Sequence, residues 1–142
     1  MGARLWQHSE RDLKAAERLV YPDTYYAAAY HAHQAAEKAL KAAHWYLRGE
    51  EPPWTHDLMK CAARVAESAG QLPPAIRTAT ARLQPMFDVS RYPSGDVDEP
   101  IPPELVGEQD ANSAISSAKE VRAWVESLVR LPPGRAGRTT TS

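Results

Sequence analysis

The chain has 142 residues, with 17 basic and 18 acidic side chains and a formal net charge of −1. That length fits one domain with a sizeable core, and the balanced charge excludes a broad electrostatic footprint for nucleic acid while leaving room for a local basic patch. The single cysteine, Cys61, excludes an internal disulfide and a multi-cysteine metal centre, and it reads as a small buried hydrophobe. The opening run MGARLWQHSERDLK lacks the apolar stretch of a signal peptide. Trp at position 6 argues against myristoylation, and no run reaches transmembrane length. The expectation is a soluble cytoplasmic protein with no membrane partner.

The first predicted helix spans about Ala3 to Val20. Leu5, Leu13, Ala16 and Val20 share one face, while Glu10, Arg11, Lys14, Glu17 and Arg18 point mostly outward. Tyr21-Pro22-Asp23 breaks it, and Asp23 or Thr24 can cap the next helix. That second helix is predicted from about Thr24 to Leu47, ending at Arg48-Gly49, a length of roughly 35 Å at ~1.5 Å per residue. One stripe along it is Tyr26, Ala29, His33, Ala36, Leu40, Ala43 and Leu47. A second, in small residues only, is Ala28, Ala32, Ala35, Ala39 and Ala42. Two apolar stripes mark a central helix with neighbours on more than one side, and small residues let another backbone come close.

Glu50 to Trp54, EEPPW, is a proline-stiffened loop. Thr55 is the predicted N-cap of the third helix, with Asp57 in its first turn opposing the dipole. Leu58, Ala62, Val65 and Ala69 form the apolar face of that helix, and Gly70 stops it. Pro73 or Pro74 suits the first turn of a fourth helix, which buries Ile76, Ala79, Leu83 and Met86 or Phe87. Pro85 should kink or shorten it. Residues 93 to 109 are the longest non-periodic stretch, rich in Pro and acidic side chains. Two readings of it stay open, an acidic solvated connector or a lid over a basic site. The last helix, about Asp110 to Val129, carries Ala111, Ala114, Ile115, Ala118, Val121, Val125 and Leu128 on one face. The predicted fold is all-α, an up-and-down bundle of four or five helices over residues 1–130. Residues 131–142 form a basic, Pro/Gly-rich tail expected to be disordered.

The groups that could carry chemistry concentrate on the second helix. His33, Glu37 and Lys41 follow a four-residue step, as do Gln34, Lys38 and Ala42, and Glu37 to Lys41 has the favourable order for a helical ion pair. Such pairs are ordinary on a solvated face. This helix has little polar face to spare, so some of these groups must be partly buried, and a buried charge needs a partner or a ligand. His56, just inside the third helix, has its cationic form disfavoured by the dipole. It is a base or hydrogen-bond partner, or it simply packs on the second helix. Arg91 offers a planar fork of donors for phosphate or carboxylate, and Tyr92 could stack on a base. The alternative is that Arg91 pairs internally with Glu37 or Asp57. His31 and His33 are two apart and lie on different helix faces, and no His-Glu-x-x-His, Walker loop, dinucleotide fingerprint or nucleophile elbow is present. No metal or cofactor is expected.

The run His33-Gln34-Ala35-Ala36-Glu37-Lys38-Ala39-Leu40-Lys41 resembles the signature helix of the HEPN domain, a small all-helical family. Thr55-His56-Asp57-Leu58 and Ser90-Arg91-Tyr92-Pro93 match two further short motifs of that family, in the expected order. The resemblance covers residues 8 to 129. It implies a helical bundle that pairs as a homodimer. It also implies a minimal nucleotidyltransferase partner in a toxin–antitoxin-like pair, nucleotide binding in some members and metal-independent ribonuclease activity in others. The ribonuclease members carry an Arg, then about four to six intervening residues, then a His, and the pair helps activate a ribose 2′-hydroxyl and stabilise the developing charge. This chain departs from that pattern. No His follows Arg91, Arg4 is too close to His8, and Arg48 is too far from His56.

The leading expectation is therefore a homodimeric module that is not itself a nuclease. It would bind a nucleotide or other phosphate-bearing ligand, or a nucleotidyltransferase partner, through Gln34, Glu37, Lys38, Lys41, His56, Arg91 and Tyr92. Two alternatives stay open. One is a metal-independent ribonuclease acting on RNA with a composite His56–Arg91 site. The other is a purely structural bundle whose alanine stripe pairs subunits.

Overall fold

The computed structural model describes residues 1–87 and 105–131. Its helices are α1 (Gly2–Arg18), α2 (Tyr25–Arg48), α3 (Leu58–Ala69), α4 (Pro74–Leu83) and α5 (Glu108–Leu128), with a 3-10 turn at Gln84–Phe87. No strand is present among the described residues, and no described helix is long and apolar enough to cross a membrane. The expected all-α bundle is what forms, with the shorter third helix making five. Arg91 and Tyr92, most of the 93–109 stretch and residues 132–142 lie outside the described residues, so the expectations placed there are carried no further by the fold.

α2 is the axis. It packs against α1, α3, α5 and the 3-10 turn. Both of its predicted stripes are consumed by those neighbours. Ala29, Ala36, Leu40 and Ala43 of one, and all five alanines of the other, are 0% exposed. The short side chains let α1 approach closely enough for the Ser9 hydroxyl to donate to the Ala35 carbonyl at 2.6 Å. The Arg122 guanidinium from α5 donates to the same Ser9 oxygen at 2.7 Å and lies 3.8 Å from the centre of the Trp6 ring, a cation–π contact. One buried serine thus ties three helices together. The alanine stripe is covered inside the chain, which corrects the alternative that gave it the pairing of subunits.

Several local expectations shift for identifiable reasons. The face that α1 buries is Gly2, Trp6, Ser9 and Ala16, with Leu5 and Leu13 half-buried at its flanks and Val20 beyond the helix end. Thr24 is the N-cap of α2, but its hydroxyl donates to the Leu19 carbonyl at 2.8 Å and closes the corner instead of covering a helix amide. α2 ends as predicted at Gly49, whose φ of 66° places it in the left-handed region that glycine adopts without strain. The cap of α3 is Asp57, not Thr55. The Asp57 carboxylate accepts from the Lys60 amide at 3.1 Å, while the Thr55 hydroxyl, two residues too early, accepts from the Asp57 amide at 3.0 Å. His56 therefore precedes α3 and does not sit within its first turn. α4 has Pro74 at its first position, and Pro85 limits it to Leu83. α5 begins two residues before expectation, where the Gly107 amide donates to the Asp110 carboxylate at 2.9 Å.

Because the α1–α2 crossing has no spare volume, Ala39→Leu is expected to lower stability by about 1–3 kcal/mol through overpacking. Urea unfolding followed by circular dichroism measures it, with native helicity expected to be retained at low denaturant.

Candidate functional site

The four-residue step on α2 places His33, Glu37 and Lys41 on one helix face, and the tertiary fold supplies what the helix cannot. Glu37 is buried. Its Oε2 accepts from Lys41 Nζ at 3.0 Å and its Oε1 from His56 Nδ1 at 3.0 Å, with His33 Nδ1 3.9 Å away. His56 reaches this carboxylate because the loop before α3 is pinned twice by Gln84. The Gln84 side chain accepts from the Leu58 amide at 2.8 Å and donates to the His56 carbonyl at 3.3 Å. Phe87, at the end of the 3-10 turn, stacks on the His56 ring with centroids 4.4 Å apart and also lies 5.1 Å from His33. Donation from Nδ1 to the carboxylate leaves Nε2 of the half-exposed His56 as an acceptor or base.

His33 lies behind this cluster. Gln34 Nε2 donates to its Nδ1 at 3.3 Å, which leaves the proton on a buried Nε2 that makes no hydrogen bond of standard geometry. Burial lowers the His33 pKa to about 4, with the nearby Glu37 carboxylate opposing the shift, so the ring is neutral at physiological pH.

Of the residues expected to form the site, Glu37, Lys41 and His56 converge. Gln34 joins only through His33. Lys38 goes elsewhere, its Nζ 2.6 Å from Asp12 Oδ2, with His31 Nδ1 3.0 Å from Oδ1 of the same carboxylate. Burial pushes the Asp12 carboxyl up, but the hydrogen bonds from His31 and Lys38 outweigh it and hold it below the usual range. That cluster locks α1 to α2. Arg91 and Tyr92 lie outside the described residues. Both Glu37 oxygens accept within the Lys41–His56 cluster, and Asp57 caps α3.

Lys41 and His56 also line a cleft of about 340 Å³. It opens between the start of α1, the end of α2 and the loop before α3. Its walls are Met1, Leu5, Trp45, Glu51, Pro52, Pro53, Trp54 and Thr55. The size is at the low end of small-molecule sites, and an apolar wall with a few convergent polar groups is their usual make-up. Sequence reasoning missed Trp45 and Trp54. The available signal was Trp54 itself, a large aromatic directly after Pro52-Pro53 in a loop with no apolar periodicity to absorb it. Among the described residues, no group of three His, Cys, Asp or Glu side chains is placed to hold a metal ion.

The profile of the HEPN domain family matches residues 3–128. Two solved structures are similar to the chain. One is TT1696 from Thermus thermophilus, 23% identical over 90% of this chain and 98% of that one, with a TM-score of 0.75. The other is ST0689, described as an archaeal HEPN homologue, 25% identical over 89% and 95% of the two chains, with a TM-score of 0.67. None of the curated proteins compared with the chain matches it significantly.

The buried histidines set an expected pH dependence. Above about pH 6.5, His33 is neutral in both the folded and the unfolded chain. Between about 6.5 and 4 the unfolded chain takes up the proton first, so stability falls as pH falls, by up to about 3 kcal/mol for this one group. Burial lowers the His44 pKa in the same direction. Melting temperatures measured from about pH 7 to about pH 4.5 should drop steadily, and His33→Gln should flatten the slope whatever its effect on stability at neutral pH.

Proposed function

The chain belongs to the HEPN domain family, and we propose that it acts as a binding module of that family, taking a nucleotide or other phosphate-bearing ligand at the Lys41–His56 end of the cleft. The observation that carries this reading is that both side chains hang from one buried carboxylate, Glu37, and both line the same opening. Lys41 presents a compact ammonium suited to phosphate as a point charge. Glu37 fixes its position and that of the His56 ring, so little conformational entropy is lost when a ligand arrives. A homodimer is the expected assembly, and a minimal nucleotidyltransferase in a toxin–antitoxin-like pair is the expected partner. The family resemblance supports both. With the alanine stripe covered inside the chain, a homodimer interface would have to use another surface.

Isothermal titration with nucleotides and short RNAs tests the reading. Saturable heat is expected, with affinity at least about tenfold weaker in Lys41→Ala, a loss of about 1.4 kcal/mol. No heat at millimolar ligand from any of these probes would remove it.

One observation favours a second reading, metal-independent cleavage of RNA. Glu37 holds His56 by Nδ1 and leaves Nε2 available as a base, the arrangement by which a carboxylate orients a catalytic imidazole. In such a reaction Nε2 takes the ribose 2′-hydroxyl proton, the freed oxygen attacks the adjacent phosphodiester to form a 2′,3′-cyclic phosphate, and the P–O5′ bond breaks as the 5′-oxygen leaves with a proton from water. Arg91 would supply the cation for the developing charge. Total tRNA incubated with pure protein in EDTA is the test. Cleavage lost in both His56→Ala and Arg91→Ala is the expected result under this reading. Cleavage that persists in both variants points to a contaminant.

A further inference from the structure

The cleft combines a largely apolar wall with a single lysine. Trp54 is 93% exposed, the most exposed of the large hydrophobic side chains described. The backbone that carries it is held in place. Pro52 and Pro53 precede it, the Thr55 amide donates to the Pro53 carbonyl at 3.0 Å, and the Asp57 amide donates to the Thr55 hydroxyl at 3.0 Å. A rigid loop that keeps an indole in water gives up the favourable burial of a large aromatic surface. Covering that ring with another planar group recovers the burial with little ordering cost, since the loop is already fixed.

The charge at the other end of the cleft limits what that group can carry. Lys41 uses one of its three donors on Glu37 and keeps two for a ligand. The Glu37 carboxylate behind it cancels its charge at longer range, and the exposed Glu51 lines the same cleft. The side chains Glu37, Lys41 and Glu51 together sum to −1 (Glu37 −1, Lys41 +1, Glu51 −1). These side chains offer no surplus positive charge to hold a polyphosphate or a polynucleotide. A single anionic group can still use the two free Lys41 donors at short range, where hydrogen-bonded charge contact outweighs the more distant carboxylates.

Resting on the reading of Lys41 and His56 as the ligand-binding end, we propose that the cleft takes one planar aromatic ring system bearing a single anionic group. The ring covers Trp54 against the Trp45 wall and the anion meets Lys41. Nucleoside monophosphates and small aromatic carboxylates share this chemistry, while nucleoside triphosphates and RNA do not. A cleft of about 340 Å³ holds one such molecule.

Quenching of tryptophan fluorescence on the full chain, checked by calorimetry, tests the assignment. The probes are adenosine 5′-monophosphate, its triphosphate, a short oligoadenylate RNA, indole-3-acetate, adenosine and inorganic phosphate. The expected result is saturable binding of the monophosphate or of indole-3-acetate at least tenfold tighter than of the triphosphate, the RNA or phosphate alone. Both Trp54→Ala, at a solvent-exposed position that leaves the core intact, and Lys41→Met should weaken it about tenfold or more. Binding of indole-3-acetate without the monophosphate supports the assignment and overturns the phosphate reading above. Tighter, salt-sensitive binding of the triphosphate or RNA, or binding indifferent to Trp54→Ala, overturns the assignment and leaves the phosphate reading standing. No binding by any probe overturns both.

Discussion

A helix enclosed on most sides has only a narrow, partly exposed strip on which to leave a polar group. That constraint on α2 organises the rest of the molecule. Its alanines allow neighbouring backbones to come close, and close packing excludes the water that would otherwise satisfy polar atoms. The charged side chains that α2 retains there find their partners inside the protein or at a cleft. Glu37 finds Lys41 and His56, Lys38 finds Asp12, and the Ala35 carbonyl takes an additional hydrogen bond from Ser9. The partners beyond α2 come from two other segments, Ser9 and Asp12 from α1 and His56 from the loop before α3, so satisfying the central helix also fixes how those segments dock.

Of these contacts, the Glu37 carboxylate has the greatest reach into function. A buried ion pair is weak evidence for stability, because desolvation offsets much of the attraction. Its stronger effect is positional. One carboxylate sets the rotamer of Lys41, the ring orientation of His56 and, through that ring, the stacking against Phe87. His33 contributes differently. It is buried and neutral, so it fills space beside the carboxylate without competing for its charge. The cleft therefore meets solvent with a preset donor, Lys41, whose charge is largely balanced from behind, and a preset acceptor, Nε2 of His56.

The local sequence was legible where periodicity alone decides the outcome. The two stripes of α2, the glycine that ends it, the proline start of α4 and the face of α5 follow from helical spacing and from backbone rules for Gly and Pro. It was misleading where two residues compete for one role. Leu5 and Leu13 outrank Trp6 and Ser9 on hydrophobicity, yet Ser9 is buried because it bridges Ala35 and Arg122. Thr55 and Asp57 are both good caps, and the choice depends on which side chain reaches the third amide of α3. Lys38 and Lys41 look equivalent on the helix, but they face different neighbours, since α1 brings Asp12 to one and Glu37 lies on the same face as the other.

The sequence by itself determined the fold class, the central helix and the family, because these rest on spacing within single segments and on short motifs of contiguous residues. It also placed Glu37, Lys41 and His56 among the groups of interest. Tertiary structure alone decided that these three meet on one carboxylate while Lys38 and Gln34 do not join them directly. It alone set Trp45 and Trp54 beside them as the wall of a cleft. The physical reason is the same in each case. Which side chains share a buried pocket is fixed by how distant segments pack, and Gln84, by pinning the loop before α3 from 28 residues away, is the contact that brings His56 into place.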